Sequence, residues 1–131
     1  MAVTAYSTSS VITVPLSGGL LTVVIRLRLP HTGTFVVWGK VTVSNSAATA
    51  QGGTVQMTTF DGATALDVAG FTFFAAGGVV SVSLQGTLDL SSAATNEIVD
   101  IRCSTANGTA INSSLIAIPV DALSGPAAPG S

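Results

Sequence analysis

The chain has 131 residues, of which 47% are hydrophobic and only 8% charged, with a formal net charge of −2. That length fits one domain with its own core, and its wealth of Val, Ile and Leu excludes disorder. Arg26, Arg28, Lys40 and Arg102 are the only basic residues, too few to neutralise a phosphate backbone, so nucleic acid is excluded as a partner.

Residues 1–9 are small and polar and read as an N-terminal arm. A short strand is predicted over 10–15, stopped by Pro15, and Ser17-Gly18-Gly19 is a turn signal. In 20–29 Leu21, Val23, Ile25, Leu27 and Leu29 alternate with Thr22, Val24, Arg26 and Arg28. Two arginines on one exposed strand face discourage edge-to-edge pairing. After the turn at 30–33 comes GTFVVWGKVTVSN, residues 33–45, with the single tryptophan at its centre. Its β-branched and aromatic content is that of a strand. Phe35, Val37, Gly39, Val41 and Val43 form one face, suited to a core. The other face, Val36, Trp38, Lys40, Thr42 and Ser44, is apolar in its first half. A sheet face washed by water is polar throughout, so Val36 and Trp38 are expected to be covered.

A loop is predicted over 45–53 and a strand over 54–60, followed by the hairpin signal Asp61-Gly62 and a return strand over 63–68. A separate segment, 71–75, holds three of the five phenylalanines, Phe71, Phe73 and Phe74. Val80, Val82, Leu84, Gly86, Leu88 and Leu90 alternate with Ser81, Ser83, Gln85, Thr87 and Asp89. Gly86 in mid-strand predicts a bulge or the close approach of another backbone. Over 97–104 Val99, Ile101 and Cys103 point inward, while Asp100 and Arg102 are expected on a solvent face. Asn107-Gly108 signals a second tight turn. The last strand, 114–123, is apolar on both faces as far as Val120, and Pro119 predicts an edge or a bulge there. Residues 124–131, SGPAAPGS, form an extended C-terminal tail. No segment keeps helical spacing over ten residues, and turns recur every 8–12 residues, so the domain over 10–123 is all-β: a sandwich or a barrel.

The order of these pieces carries a resemblance. A Leu-Pro and short turn lead into GTFVVWGKVTVSN; VSVSLQGTLDLSSAATNEIVDIRCS (80–104) follows, then SSLIAIPVDAL (113–123). This resembles the C1q/TNF-like jelly rolls of bacterial and phage-encoded proteins. The resemblance implies a two-sheet antiparallel jelly-roll sandwich of ten strands, assembled as a tight homotrimer whose inner sheets surround the threefold axis. Calcium-site carboxylates of the animal C1q pattern are missing here, as is a collagen-like stalk. On this reading Val36, Trp38, Leu115 and Ala117 meet neighbouring subunits. The alternative is that Trp38 caps one end of the monomer core.

Residues with catalytic chemistry are sparse. Nucleophilic catalysis needs a Ser or Cys beside a base held by a third group; the one histidine, His31, sits in a predicted turn, and no G-x-S-x-G string exists. Cys103 is alone, so no intrachain disulfide forms, and it reads as a small buried hydrophobe. The acids Asp61, Asp67, Asp89, Glu97, Asp100 and Asp121 show no ligand spacing. No enzyme activity, cofactor or metal is expected. The longest apolar run, 20–29, is interrupted by Thr22, Arg26 and Arg28, so no membrane partner is expected either. MAVTAYSTSS carries no secretory signal.

These features predict a non-enzymatic virion protein assembled in the host cytoplasm: a trimeric bacteriophage capsid decoration, or minor capsid, protein. It would fasten to the major capsid protein through its arms, with Ala2, Val3 and Tyr6 at one end and Pro126 and Pro129 at the other. The alternative is a trimeric binding module, a fibre knob or a lectin on the bacterial cell surface, that recognises a glycan or receptor.

Overall fold

The computed structural model describes residues 5–29, 33–59, 65–73, 75–90 and 97–120. Among them are nine strands and no helix: β1 (Tyr6–Ser10), β2 (Val14–Ser17), β3 (Thr22–Leu29), β4 (Thr34–Asn45), β5 (Gln51–Thr59), β6 (Ala65–Phe73), β7 (Val79–Asp89), β8 (Glu97–Thr105) and β9 (Asn107–Val120). They form two antiparallel sheets. The first runs β1-β9-β4-β7, with β2 also paired to β9; the second runs β3-β8-β5-β6. Chain neighbours such as β3 and β4, or β7 and β8, therefore lie in different sheets, and the structure is a two-sheet jelly-roll sandwich.

Period-two alternation explains why the sheets stack. Phe35, Val37, Val41 and Val43 of β4, Val82, Leu84 and Leu88 of β7, and Leu115 and Ala117 of β9 bury their side chains from one side. Ile25, Leu27 and Leu29 of β3, Val55 and Met57 of β5, Phe71 and Phe73 of β6, and Val99, Ile101 and Cys103 of β8 meet them from the other. The mid-strand glycine Gly86 has the predicted close neighbour: a Cβ there would lie 2.9 Å from both the Cβ and the carbonyl oxygen of Leu66, so glycine lets β6 and β7 approach where the sheets meet.

Several boundaries differ from the sequence reading, each for a tertiary reason. Tyr6–Ser10 is not part of an arm: it pairs with β9, and Tyr6 packs edge-on against Phe35 (ring centroids 6.4 Å apart, 65°). The strand predicted over 10–15 begins instead at Val14. Gln51, Gly52 and Gly53 belong to β5, because Phe71 and Phe73 stack beside that stretch (5.1 Å, 66°) and only a glycine at 53 leaves room for the Phe71 ring. The two segments expected at 63–68 and 71–75 are one strand, β6. Asn107-Gly108 opens β9 rather than a separate turn. Val24 in β3 and Ile111 in β9 are extra residues that shift the pairing, so alternation breaks there. Pro119 pairs with Phe35 beyond the Tyr6–Ala117 pairing that ends the β1 ladder among the described residues. His31, the Asp61-Gly62 signal and Asp121 lie outside the described residues.

One end of the sandwich is tied by Asn45, buried at the end of β4. Its Nδ2 donates to the carbonyls of Thr49 (3.0 Å) and Ala75 (2.9 Å); its Oδ1 accepts from the Ala47 N–H (2.9 Å) and Gln51 Nε2 (2.6 Å). Gln51 in turn bonds both the carbonyl and the N–H of Asn107. Two loops and the start of β5 converge on one amide that uses both donors and both lone pairs, and Gln51 extends the link to Asn107.

Candidate functional site

The outer face of the first sheet is assembled by β4 at its centre. Val36 sits between Ile118 of β9 and Thr87 of β7; Trp38 sits between Ile116 and Gln85. Val36, Ile116 and Ile118 are half-buried and Trp38 is 38% exposed. Two residues further, Lys40 lies between Ser114 and Ser83, and Thr42 lies between Asn112 and Ser81, with the Thr42 and Ser81 hydroxyls bonded to each other at 2.9 Å. One half of the face is therefore an apolar cluster around the indole, and the other half is hydroxyls and an ammonium. Beside Ile116 the face dips into a recess of about 410 Å³ lined by Ser7, Thr8, Ser9, Ser114, Leu115 and Ile116.

Val36 and Trp38 stand where the sequence reading put them, on a face that the monomer leaves open. Trp38 does not cap the core, since β4 turns it away from Phe35 and Val37. Leu115 and Ala117 are a correction. Both point into the sandwich and are fully buried, because β9 turns its other side, Ile116 and Ile118, outward. With apolar residues on both faces, 115–120 offered no internal signal of which was which; only the register against β4 decides it. Tyr6 is likewise a core-packing strand residue. Ala2, Val3, Pro126 and Pro129 lie outside the described residues. Tyr6 pairs with Ala117 and Val120 with Thr34, so the first and last described strand residues lie at the end of the sheet that carries the apolar cluster.

Asp100 was expected in solvent and is instead fully buried, although it does lie on an outer face, that of the second sheet. Thr58 Oγ1 donates to its Oδ1 at 2.6 Å and Arg102 grips it through Nε (3.0 Å) and Nη2 (3.2 Å). Alternation placed the residue; the neighbours that cover it come from strands β3 and β5, which only pairing brings alongside. Cys103 faces the core, where burial pushes its thiol up to about 12, far from the thiolate a nucleophile needs. Among the described residues no three His, Cys, Asp or Glu side chains gather into a metal-binding group.

No family model and no curated protein matches the chain by sequence. Solved structures do match by shape. A tumour-necrosis-factor protein, Eiger, from S. frugiperda superposes with a TM-score of 0.64 at 11% identity, covering 98% of this chain and 99% of that one. The infectious bursal disease virus Gx strain structure matches with a TM-score of 0.54 at 15% identity over 91% of this chain, and T=1 particles derived from the same virus match at 0.53 and 12% over 89%. This chain spans about a third of each viral chain (34% and 32%). At such identities the likeness establishes the fold: a TNF-like jelly roll, shared with viral capsid proteins.

Proposed function

We propose that the protein is a non-enzymatic structural component of a virion that works as a homotrimer, with the outer face of the first sheet as its subunit contact. The observation that carries this reading is the cluster of Val36, Trp38, Ile116 and Ile118, large apolar side chains left open on a chain that is only 8% charged. Exposed contiguous apolar surface rimmed by polar residues marks interaction sites. The placement of the termini supports a decoration role. The first and last described strand residues, Tyr6 and Val120, lie at the same end of the first sheet, and on this reading the sequences before and after them, with Ala2, Val3, Pro126 and Pro129, are the arms that a phage major capsid protein holds. Assembly on such a particle in the host cytoplasm follows from the same reading. Light scattering during size-exclusion chromatography tests it: the expected mass is three chains, and a monomer that persists at all concentrations refutes it.

One observation favours a second reading, a fibre knob or bacterial surface lectin. The half-exposed indole of Trp38 lies beside Gln85 and one step from Lys40, an aromatic platform with polar neighbours of the kind that sugars stack on. Saturable binding on a glycan array that is lost in Trp38→Ala, with the oligomer intact, would favour it.

A further inference from the structure

In a closed ring of three subunits each contact is heterologous: it joins two different patches, since no twofold axis sets a patch against itself. A homotrimer that uses Val36, Trp38, Ile116 and Ile118 is therefore completed by a second apolar surface elsewhere on the same chain. The described residues offer one.

Large apolar side chains standing open singly need no explanation. Here they come in adjacent pairs along one edge. Val11 (84% exposed) and Ile12 (76%) lie in the connection from β1 to β2, and Leu20 (71%) and Leu21 (46%) in that from β2 to β3. Within the sheets β1 and β2 pair only with β9, and β3 only with β8, while β1 lies against β3. The two connections thus bracket a single edge of the sandwich, with Pro15 of β2 exposed between them. Local geometry holds the first pair out. Pairing with β9 stops at Ser10–Ser113 and resumes at Val14–Ala110, so residues 11–13 stand opposite only 111 and 112. The surplus residue bows the connection away from the sheet, and the Ser10 hydroxyl accepts from the Ile12 N–H at 3.1 Å.

The opposite edge is built differently. There β6 and β7 close on each other: Gly86 lets Leu66 approach, and the Asp67 carboxylate accepts from the Val68 N–H at 2.9 Å and the Gln85 N–H at 3.0 Å. A charge turned inward from an edge strand works against association at that edge. The exposed valines of these two strands stand on faces instead. Val68 pairs with Gln56 on the outer face of the second sheet, and Val79 with Ser44 on the polar half of the first.

We propose that the edge carrying Val11 and Ile12, extended by Leu20 and Leu21, is the second half of the subunit contact, laid on the apolar cluster of a second copy of this chain. The inference rests on the homotrimer reading and adds which surface of the neighbour covers Trp38. The bowed pair brings apolar side chains to an apolar cluster, and the recess beside Ile116 leaves room for one that projects.

The test uses the full chain. Thr13 and Gln85 are exposed positions beside the two proposed surfaces. Thr13 flanks Ile111, whereas Gln85 pairs with Trp38 and Trp38 with Ile116. Three strand spacings and some five residues therefore separate them within one chain, about 22 Å. A bismaleimide of shorter reach should link Thr13→Cys/Gln85→Cys chains into covalent dimers and trimers, Cys103 being buried. Arg28→Cys/Gln85→Cys, with one cysteine on the second sheet, should give none. Val11→Ser/Ile12→Ser, at exposed positions, should keep the wild-type far-ultraviolet dichroism and raise at least tenfold the concentration at which light scattering shows the trimer dissociating. A wild-type chain that is monomeric at all concentrations overturns the assembly reading and this inference with it. A wild-type trimer whose mass survives Val11→Ser/Ile12→Ser at every concentration, or whose Thr13→Cys/Gln85→Cys variant stays unlinked, overturns this inference alone.

Discussion

Asn45→Ala is the most direct test of how the end of the sandwich is held. The substitution removes four hydrogen bonds at once: two donated to the Thr49 and Ala75 carbonyls, and two accepted from the Ala47 N–H and Gln51 Nε2. Each is worth about 1 kcal/mol net, and a partner left buried and unpaired costs more than that. The site lies near the surface, where water can reach some of the released groups, so we expect a loss of about 2–4 kcal/mol, a large share of a domain's usual 5–15 kcal/mol. With a urea m-value of about 2 kcal/mol/M the midpoint should fall by about 1–2 M. Unfolding followed by the fluorescence of Trp38, the sole tryptophan, at one fixed protein concentration measures this. Asn45→Asp is the sharper comparison. It keeps the acceptors but loses both donors and sets carboxylate oxygens against the Thr49 and Ala75 carbonyls, so it should be at least as damaging as alanine. A loss under 1 kcal/mol for alanine, or an aspartate variant close to wild type, would refute the view that this amide ties the loops together.

The two sides of β9 should respond differently. Leu115→Ala opens a cavity in the core and should cost about 2–5 kcal/mol, read as a lower melting temperature. Ile116→Ser and Trp38→Ala, on the open face, should cost the single chain far less and instead lower the assembly mass by light scattering. Asp100→Ala removes the shared partner of Thr58, Arg26 and Arg102; because both guanidiniums reach solvent, the main loss is the bond from the Thr58 hydroxyl, about 1–2 kcal/mol, and calorimetry showing no loss would refute a stabilising role for the cluster. Cys103 should resist a thiol reagent at pH 8 until the chain unfolds. Its thiol ionises near 9.0 when unfolded and about 12 when folded, so the unfolded state releases its proton first. Stability should therefore fall as pH rises from 9 toward 12, and Cys103→Ala should show a shallower decline.

Much of the fold was legible because alternation is a local signal. Phe35 to Val43 and Val80 to Leu90 announced their faces without reference to any partner, and Gly86 announced a close neighbour without saying it would be Leu66. The reading failed where a residue's state depends on another strand. Val24 and Ile111, the extra residues at which pairing shifts, are invisible in composition. Gln51 to Gly53 looked like loop because glycine is poor in strand propensity, yet the aromatic rings of β6 favour it there. Asn45 looked like the end of a strand and nothing more; a polar residue ahead of a Ser/Ala/Thr/Gly loop gives no hint that it ties together loops some thirty and sixty residues further along the chain.

For the sites the division is similar. The sequence by itself determined that Val36 and Trp38 share an outward face too apolar for water, that charge is scarce, and that Arg26 and Arg28 stand side by side, since all three depend only on spacing within a strand. Only the tertiary structure decided that Ile116 and Ile118, not Leu115 and Ala117, complete the apolar cluster. It also decided that Tyr6 belongs to the sheet and that Asp100 is buried between Arg26 of β3 and Thr58 of β5. The physical reason is register. A strand apolar on both sides, or an acid facing outward, takes its environment from whichever residues hydrogen-bonded pairing sets opposite it, and no stretch of chain carries that information alone.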